Sequence, residues 1–152
     1  MSFQILGAAH TGITVVDLER SLSFWRDVLG FDVVLRDEVA GETLEQITGV
    51  RGGALSIALL DVPGGGGQIE LLEFTEPADR RHLRPRPSDV GSLHVALFVD
   101  DIEAVVRECA AAAGWRSNGT PRARKEGPAK GITFLYMTDP DGTIVELVQA
   151  AS

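Results

Sequence analysis

HTGITVVD, residues 10–17, and HVALFVDD, residues 94–101, decide how this chain is read. Each runs from a histidine through an apolar stretch to an aspartate seven positions later, His10 to Asp17 and His94 to Asp101. A stretch that recurs in this form marks a repeated unit, and a repeat constrains the fold before any single element does. A helical pattern follows both copies. In LERSLSFWRDVLG, Leu18, Leu22, Trp25 and Leu29 recur at near-helical spacing. Asp17 can cap the free N–H groups at its start, and Gly30 can end it. In the second copy Asp100 or Asp101 caps IEAVVRECAAAAG, which Gly114 ends.

Outward from these anchors the strands fall into place. Ile5 to Val16 reads as a strand. FDVVLRDEV, ALSIALLDV and QIELLEF follow the first helix, the last two joined by PGGGG. GITFLYMT and TIVELVQA follow the second helix, joined by DPDG, a strong turn signal. A short strand near Trp115 would complete the second copy. The expected fold class is α+β: two β-α-β-β-β modules, about residues 5–78 and 90–150, within one domain. PGGGGQ, residues 63–68, is not a phosphate loop. It lacks a Lys-Ser/Thr pair, and a strand follows it where a helix is required.

Composition narrows the function. The chain has 152 residues, one domain's worth, and a formal net charge of −8. That charge excludes generic nucleic-acid binding, which needs basic patches, and attraction to an anionic membrane. No apolar run approaches the ~20 residues that span a bilayer. The start, MSFQILGAAH, has neither the basic region nor the core of a signal peptide, so a cytoplasmic location is expected. A local exception to the acidity is PRARKEGPAK, residues 121–130, read as a solvated loop or as a basic rim for an anionic substrate. The single cysteine, Cys109, sits in an alanine-rich helix and reads as apolar filler.

Two glutamates carry the chemistry. QIELLEF and TIVELVQ each place one inside an apolar strand, Glu70 and Glu146. Side chains alternate along a strand, so Glu146 should share a core face with Ile144 and Val148, each two residues away. An ionised carboxylate there costs several kcal/mol or more unless it is paired or bound to metal. His10 precedes Glu70 by 60 residues and His94 precedes Glu146 by 52, and the longer interval fits a longer loop around GETLEQITGVRGG. Two neutral imidazoles and two carboxylates together neutralise one divalent cation. His82 reads as an exposed loop residue, and Glu73, three positions from Glu70, as pointing to the opposite strand face. Both stand outside this set.

With those motifs assembled, the chain resembles the vicinal oxygen chelate superfamily, which includes glyoxalase I, methylmalonyl-CoA epimerase, extradiol dioxygenases and bleomycin-type resistance proteins. The likeness runs from about His10 to Gln149. It is carried by HTGITVVDLERSLSFWRDVLGF, QIELLEF, HVALFVDDIEAVV and FLYMTDPDGTIVELVQ. It implies an open, curved mixed sheet around a metal, with His10, Glu70, His94 and Glu146 at the ligand positions and a homodimer as the working form. The metal would be one divalent ion per site: Zn, Ni, Co, Mn or Fe.

Such an ion can hold two adjacent substrate oxygens while a proton leaves the neighbouring carbon, and a loosened glutamate, Glu146 or Glu70, can carry that proton. The complete His/Glu/His/Glu set is closest to glyoxalase I. The expected function is therefore a metal-dependent glyoxalase I-like lyase or isomerase acting on a small oxygenated metabolite, an anionic one if the basic run 121–130 serves as its rim. Three alternatives follow from the same resemblance. An acyl-CoA epimerase would use the same proton chemistry. A ring-cleaving dioxygenase would find Glu70 in coordination space that oxygen needs. A drug-binding resistance protein would want an aromatic-lined groove, and aromatics make up only 6% of the chain. Residues 36–54, 75–92 and 116–131 are the expected walls and lids.

Overall fold

The computed structural model describes residues 3–112 and 114–151. The chain divides into two compact units, Met1–Arg80 and Arg81–Ser152. The first holds β1 (Thr11–Thr14), α1 (Leu18–Trp25), β2 (Asp32–Ala40), α2 (Glu42–Thr48), β3 (Ala54–Asp61) and β4 (Gln68–Glu76). The second holds β5 (Val95–Phe98), α3 (Ile102–Ala112), β6 (Arg116–Ser117), β7 (Arg122–Ala123), β8 (Thr133–Thr138) and β9 (Ile144–Gln149).

The two sheets share one topology. In the first unit the strand order is β1-β4-β3-β2; in the second it is β5-β9-β8-β6, with β7 also on β8. In each, the opening strand lies parallel to the closing strand and the other pairs are antiparallel. The register repeats as well. Gly12 pairs with Glu70 and Ala96 with Glu146, each two residues beyond its histidine.

Each sheet buries one face against its helix. Ala58 pairs with Leu71 and Leu60 with Ile69, and paired residues share a face. All four are buried, as are Leu18, Leu22 and Trp25 of α1, which packs on β3 and β4. Phe24, Trp25 and Phe31 stack edge to face with centroids 5.1 and 5.2 Å apart, a geometry aromatic rings favour. In the second unit Leu135, Met137, Val145 and Leu147 are buried, and α3, which packs on β6 and β9, buries Ile102 and Cys109. Burial pushes the Cys109 thiol up to about 11, so it stays protonated and inert.

Four local expectations need correction. The opening strand is Thr11–Thr14 only. Phe3, Ile5 and Leu6 lie before it, exposed and in no strand, because apolar pattern alone does not supply a pairing partner. The longer first interval is no plain loop: it contains α2, bounded by Gly41 and Gly49, both with positive φ. Residues 36–54 are accordingly mostly β2 and α2. Regular helix α1 stops at Trp25, and turns carry the chain on to Gly30, whose φ of 73° closes them. The short strand near Trp115 is present as β6. The basic run 121–130 contributes β7 before its loop begins. No helix is long and apolar enough to cross a membrane among the described residues.

Candidate functional site

The repeat brings each histidine to its own glutamate. His10 Nε2 stands 3.2 Å from Glu70 Oε2, and His94 Nε2 stands 3.4 Å from Glu146 Oε2. Both pairs arise from the same construction. The histidine directly precedes a short strand, and the glutamate sits on the parallel neighbour, beside the residue two places on. That intervening residue is small in both units, Gly12 and Ala96, which keeps the space over the carboxylate open. A Cβ built on Gly12 would approach Glu70 Oε2 to 3.9 Å.

Both glutamates lie on the sheet face turned away from the helix. Glu70 pairs with Leu59 and Glu146 with Tyr136, whereas the helix-packed residues alternate with them. Their side chains keep 21% and 16% of their exposure, and the histidines 39% and 43%. The pairs are thus half-buried and reachable. Among the described residues, no three His, Cys, Asp or Glu side chains gather into a group that could hold a metal ion.

Each His–Glu pair, taken by itself, has the spacing of two donors on one ion. Two donors about 2.1 Å from one ion, at a roughly tetrahedral or right angle to each other, stand about 3.0–3.4 Å apart. The observed separations of 3.2 and 3.4 Å match that spacing. One imidazole and one carboxylate per pair is also the mixed ligand type that transition metals accept.

A second repeated device, invisible in the sequence reading, holds the helices over these strands. Glu73 accepts the backbone N–H of Leu18 at 2.8 Å, and Gln149 accepts that of Ile102 at 3.0 Å. Asp17 and Asp101 cap the same two helices from their own ends, accepting from Arg20 and Ala104, each at 2.9 Å. Each closing strand therefore carries a glutamate facing the pair and, three residues later, a side chain that caps the helix behind it. The equal spacing Glu70–Glu73 and Glu146–Gln149 is the signal that could have revealed it.

The surroundings of the pairs differ. Tyr136 lies across from Glu146, and its ring meets the His94 ring edge to face at 5.2 Å. Burial, and then the charge and hydrogen bonding of Glu146, hold its phenol above its ordinary pKa. The equivalent of Tyr136 in the first unit is Leu59. His82 is exposed and belongs to neither pair.

Comparisons with known proteins agree with this architecture. The family model described as Glyoxalase/Bleomycin resistance protein/Dioxygenase superfamily matches residues 7–147. A 2-epi-5-epi-valiolone epimerase of Actinomyces is 33% identical over 142 residues, covering 91% of this chain and 76% of that protein. A probable lactoylglutathione lyase of Synechocystis is 30% identical over 147 residues, covering 94% and 95%. Among solved structures, a glyoxalase family protein of Bacillus cereus superposes with a TM-score of 0.84 at 24% identity, covering 99% of this chain and 98% of that one.

Proposed function

The chain belongs to the Glyoxalase/Bleomycin resistance protein/Dioxygenase superfamily, and from that premise we propose that it is a divalent-metal-dependent lyase or isomerase. It moves a proton at the carbon next to a carbonyl in a small oxygenated metabolite. The observation that carries this reading is the duplicated His–Glu pair, at 3.2 and 3.4 Å. His10, Glu70, His94 and Glu146 would hold the ion, two ligands from each module. A bound divalent ion supplies Lewis acidity to adjacent substrate oxygens, which acidifies the neighbouring C–H.

The remaining work belongs to the side chains. Glu70 and Glu146 are the proton carriers: each is a carboxylate on an open sheet face, with a small residue beside it. One takes the proton from carbon. In an epimerisation the other returns a proton to the same carbon from the opposite side; in a lyase-type isomerisation the proton goes back to the adjacent carbon. In the isomerisation one carboxylate takes and returns the same proton and is restored; in the epimerisation the accepting carboxylate ends protonated and the donor, protonated at the start, ends ionised, and proton exchange with solvent resets the pair. The relatives named epimerase and lactoylglutathione lyase support the two variants respectively. A homodimer is part of this reading, supported by the exposed apolar side chains Phe3, Ile5, Leu6, Leu93 and Phe98.

Substrate-proton exchange in deuterated water tests the proposal directly. Metal-reconstituted protein should exchange the proton next to the carbonyl of either the glutathione–methylglyoxal hemithioacetal or 2-epi-5-epi-valiolone. Glu70→Gln and Glu146→Gln should each lower the exchange rate by about 10²-fold or more. Exchange that persists in both variants would refute the assignment of the carriers.

A further inference from the structure

The second unit contains a groove that the proton chemistry does not use. It measures about 510 Å³ and is walled by the segment Arg84-Pro85-Arg86-Pro87 on one side and by Arg116, Asn118 and Thr138 on the other. The wall is built to stay in place. Two prolines fix φ on either side of Arg86. Arg86 is clamped by Asp89, which accepts from its Nε and Nη2 at 3.0 and 2.6 Å. The segment also crosses the DPDG turn so closely that a Cβ on Gly142 would collide with the Leu83 carbonyl oxygen.

The charge of the groove is cationic where it is free to act. Arg84 and Arg116 form no ion pair among the described residues. Asp139 also lines the groove, but its carboxylate is turned into the turn, where it accepts from the N–H groups of Asp141 and Thr143 at 2.9 and 2.7 Å. Asn118 donates to Thr138 at 2.7 Å and fixes that edge. Two unpaired guanidiniums beside polar donors form the geometry that binds carboxylate or phosphate. In a protein of net charge −8, this is a local reversal of sign.

The groove also adjoins the His94–Glu146 pair. Arg116 pairs with Thr138, and Tyr136 with Glu146. Thr138 and Tyr136 are two residues apart on β8, so they share a face and stand about 7 Å apart along the strand. We infer that the groove holds an anionic group, phosphate or carboxylate, at the far end of the substrate whose carbonyl end reaches the His94–Glu146 pair. This rests on the proton-transfer reading and adds the substrate's charge to it.

Binding is tested apart from turnover, by amide and side-chain NMR shifts. Inorganic phosphate serves as the free anion probe. Dihydroxyacetone phosphate is the probe that links a carbonyl to a phosphate, and dihydroxyacetone is its uncharged control. Dihydroxyacetone phosphate should saturably shift Arg84, Arg116 and Asn118 together with His94 and Tyr136, and dihydroxyacetone should bind at least 10-fold more weakly. The double variant Arg84→Gln/Arg116→Gln should weaken both phosphates at least 10-fold with an unchanged melting temperature. Shifts confined to the groove with both phosphates would overturn the substrate assignment and leave a separate anion site. Absent saturation, or affinity unchanged in the double variant, would overturn the groove itself. Failure of the proton-transfer reading is seen separately, as exchange that survives Glu146→Gln.

Discussion

The two modules repeat the same frame and differ in what they hang on it. Both place a histidine before the opening strand, a glutamate on the closing strand, and a cap three residues beyond. Yet the residue across from the glutamate is Leu59 in one and Tyr136 in the other. The outer edge is the nine-residue β2 in the first module and two two-residue fragments in the second. The hairpin before the closing strand is a glycine run in one and an aspartate-held turn in the other. What is duplicated positions donor atoms; what has diverged lies where a substrate would touch.

The widest test of that equivalence is metal content. His94→Ala and His10→Ala should each abolish stoichiometric divalent metal, measured by elemental analysis of dialysed protein, and to the same extent. Loss in one variant only would break the functional equivalence of the pairs. The hairpins should separate next. Gly142→Ala meets both a φ of 101° and the Leu83 carbonyl, and should destabilise by about 2–3 kcal/mol in urea unfolding. Gly65→Ala, with positive φ and open space, should lose only about 1 kcal/mol.

The caps should bring the modules back together. Glu73→Ala and Gln149→Ala each strip an N–H acceptor from a helix start and should each cost about 1 kcal/mol by denaturant titration. A markedly larger loss at Glu73 would show that charge at the helix N-terminus matters beyond the hydrogen bond. The smallest effect concerns pH. Burial raises the Asp139 carboxyl above its usual range, and the N–H of Thr143 only partly opposes this. A raised acid contributes stability below its unfolded pKa and loses it as pH rises through the folded value. Asp139→Asn, which still accepts both N–H groups, should therefore melt at or slightly above the wild type at pH 7 and relatively lower near pH 3.5. A difference that does not change with pH would show that burial leaves Asp139 unperturbed.

Much of this frame was legible in the sequence because it depends on short-range pattern. The His-to-Asp spacing located both opening strands, Asp17 and the pair Asp100–Asp101 announced their helices, and a glutamate in an apolar strand stood out for the cost of burying it. The repeat related the two histidines and the two glutamates, but that each histidine stands beside the glutamate of its own module comes from the strand register. What escaped depends on partners distant in sequence. Glu73 looks like an ordinary strand residue until Leu18, 55 positions away, presents an unsatisfied N–H. Ile5 and Leu6 look like strand residues, but no neighbouring strand pairs with them. Helix α2 was masked by its flanking glycines, although Gly41 and Gly49 are also what starts and stops it. Substrate-facing character was least legible, since Tyr136 and Arg116 acquire meaning only from the register that sets them against Glu146 and Thr138.

The parallel pairing of first strand with last has a consequence for how the protein comes into being. His10 and Glu70 are separated by nearly the whole first module, as His94 and Glu146 are by the second. Closing such a span is an entropic step that contacts within hairpins do not require, so the parallel pair should form late in the assembly of each module. During synthesis the first pair can close while the second module is still emerging. Each His–Glu pair is then a record of a finished module: in an unfinished one the histidine has nothing to meet.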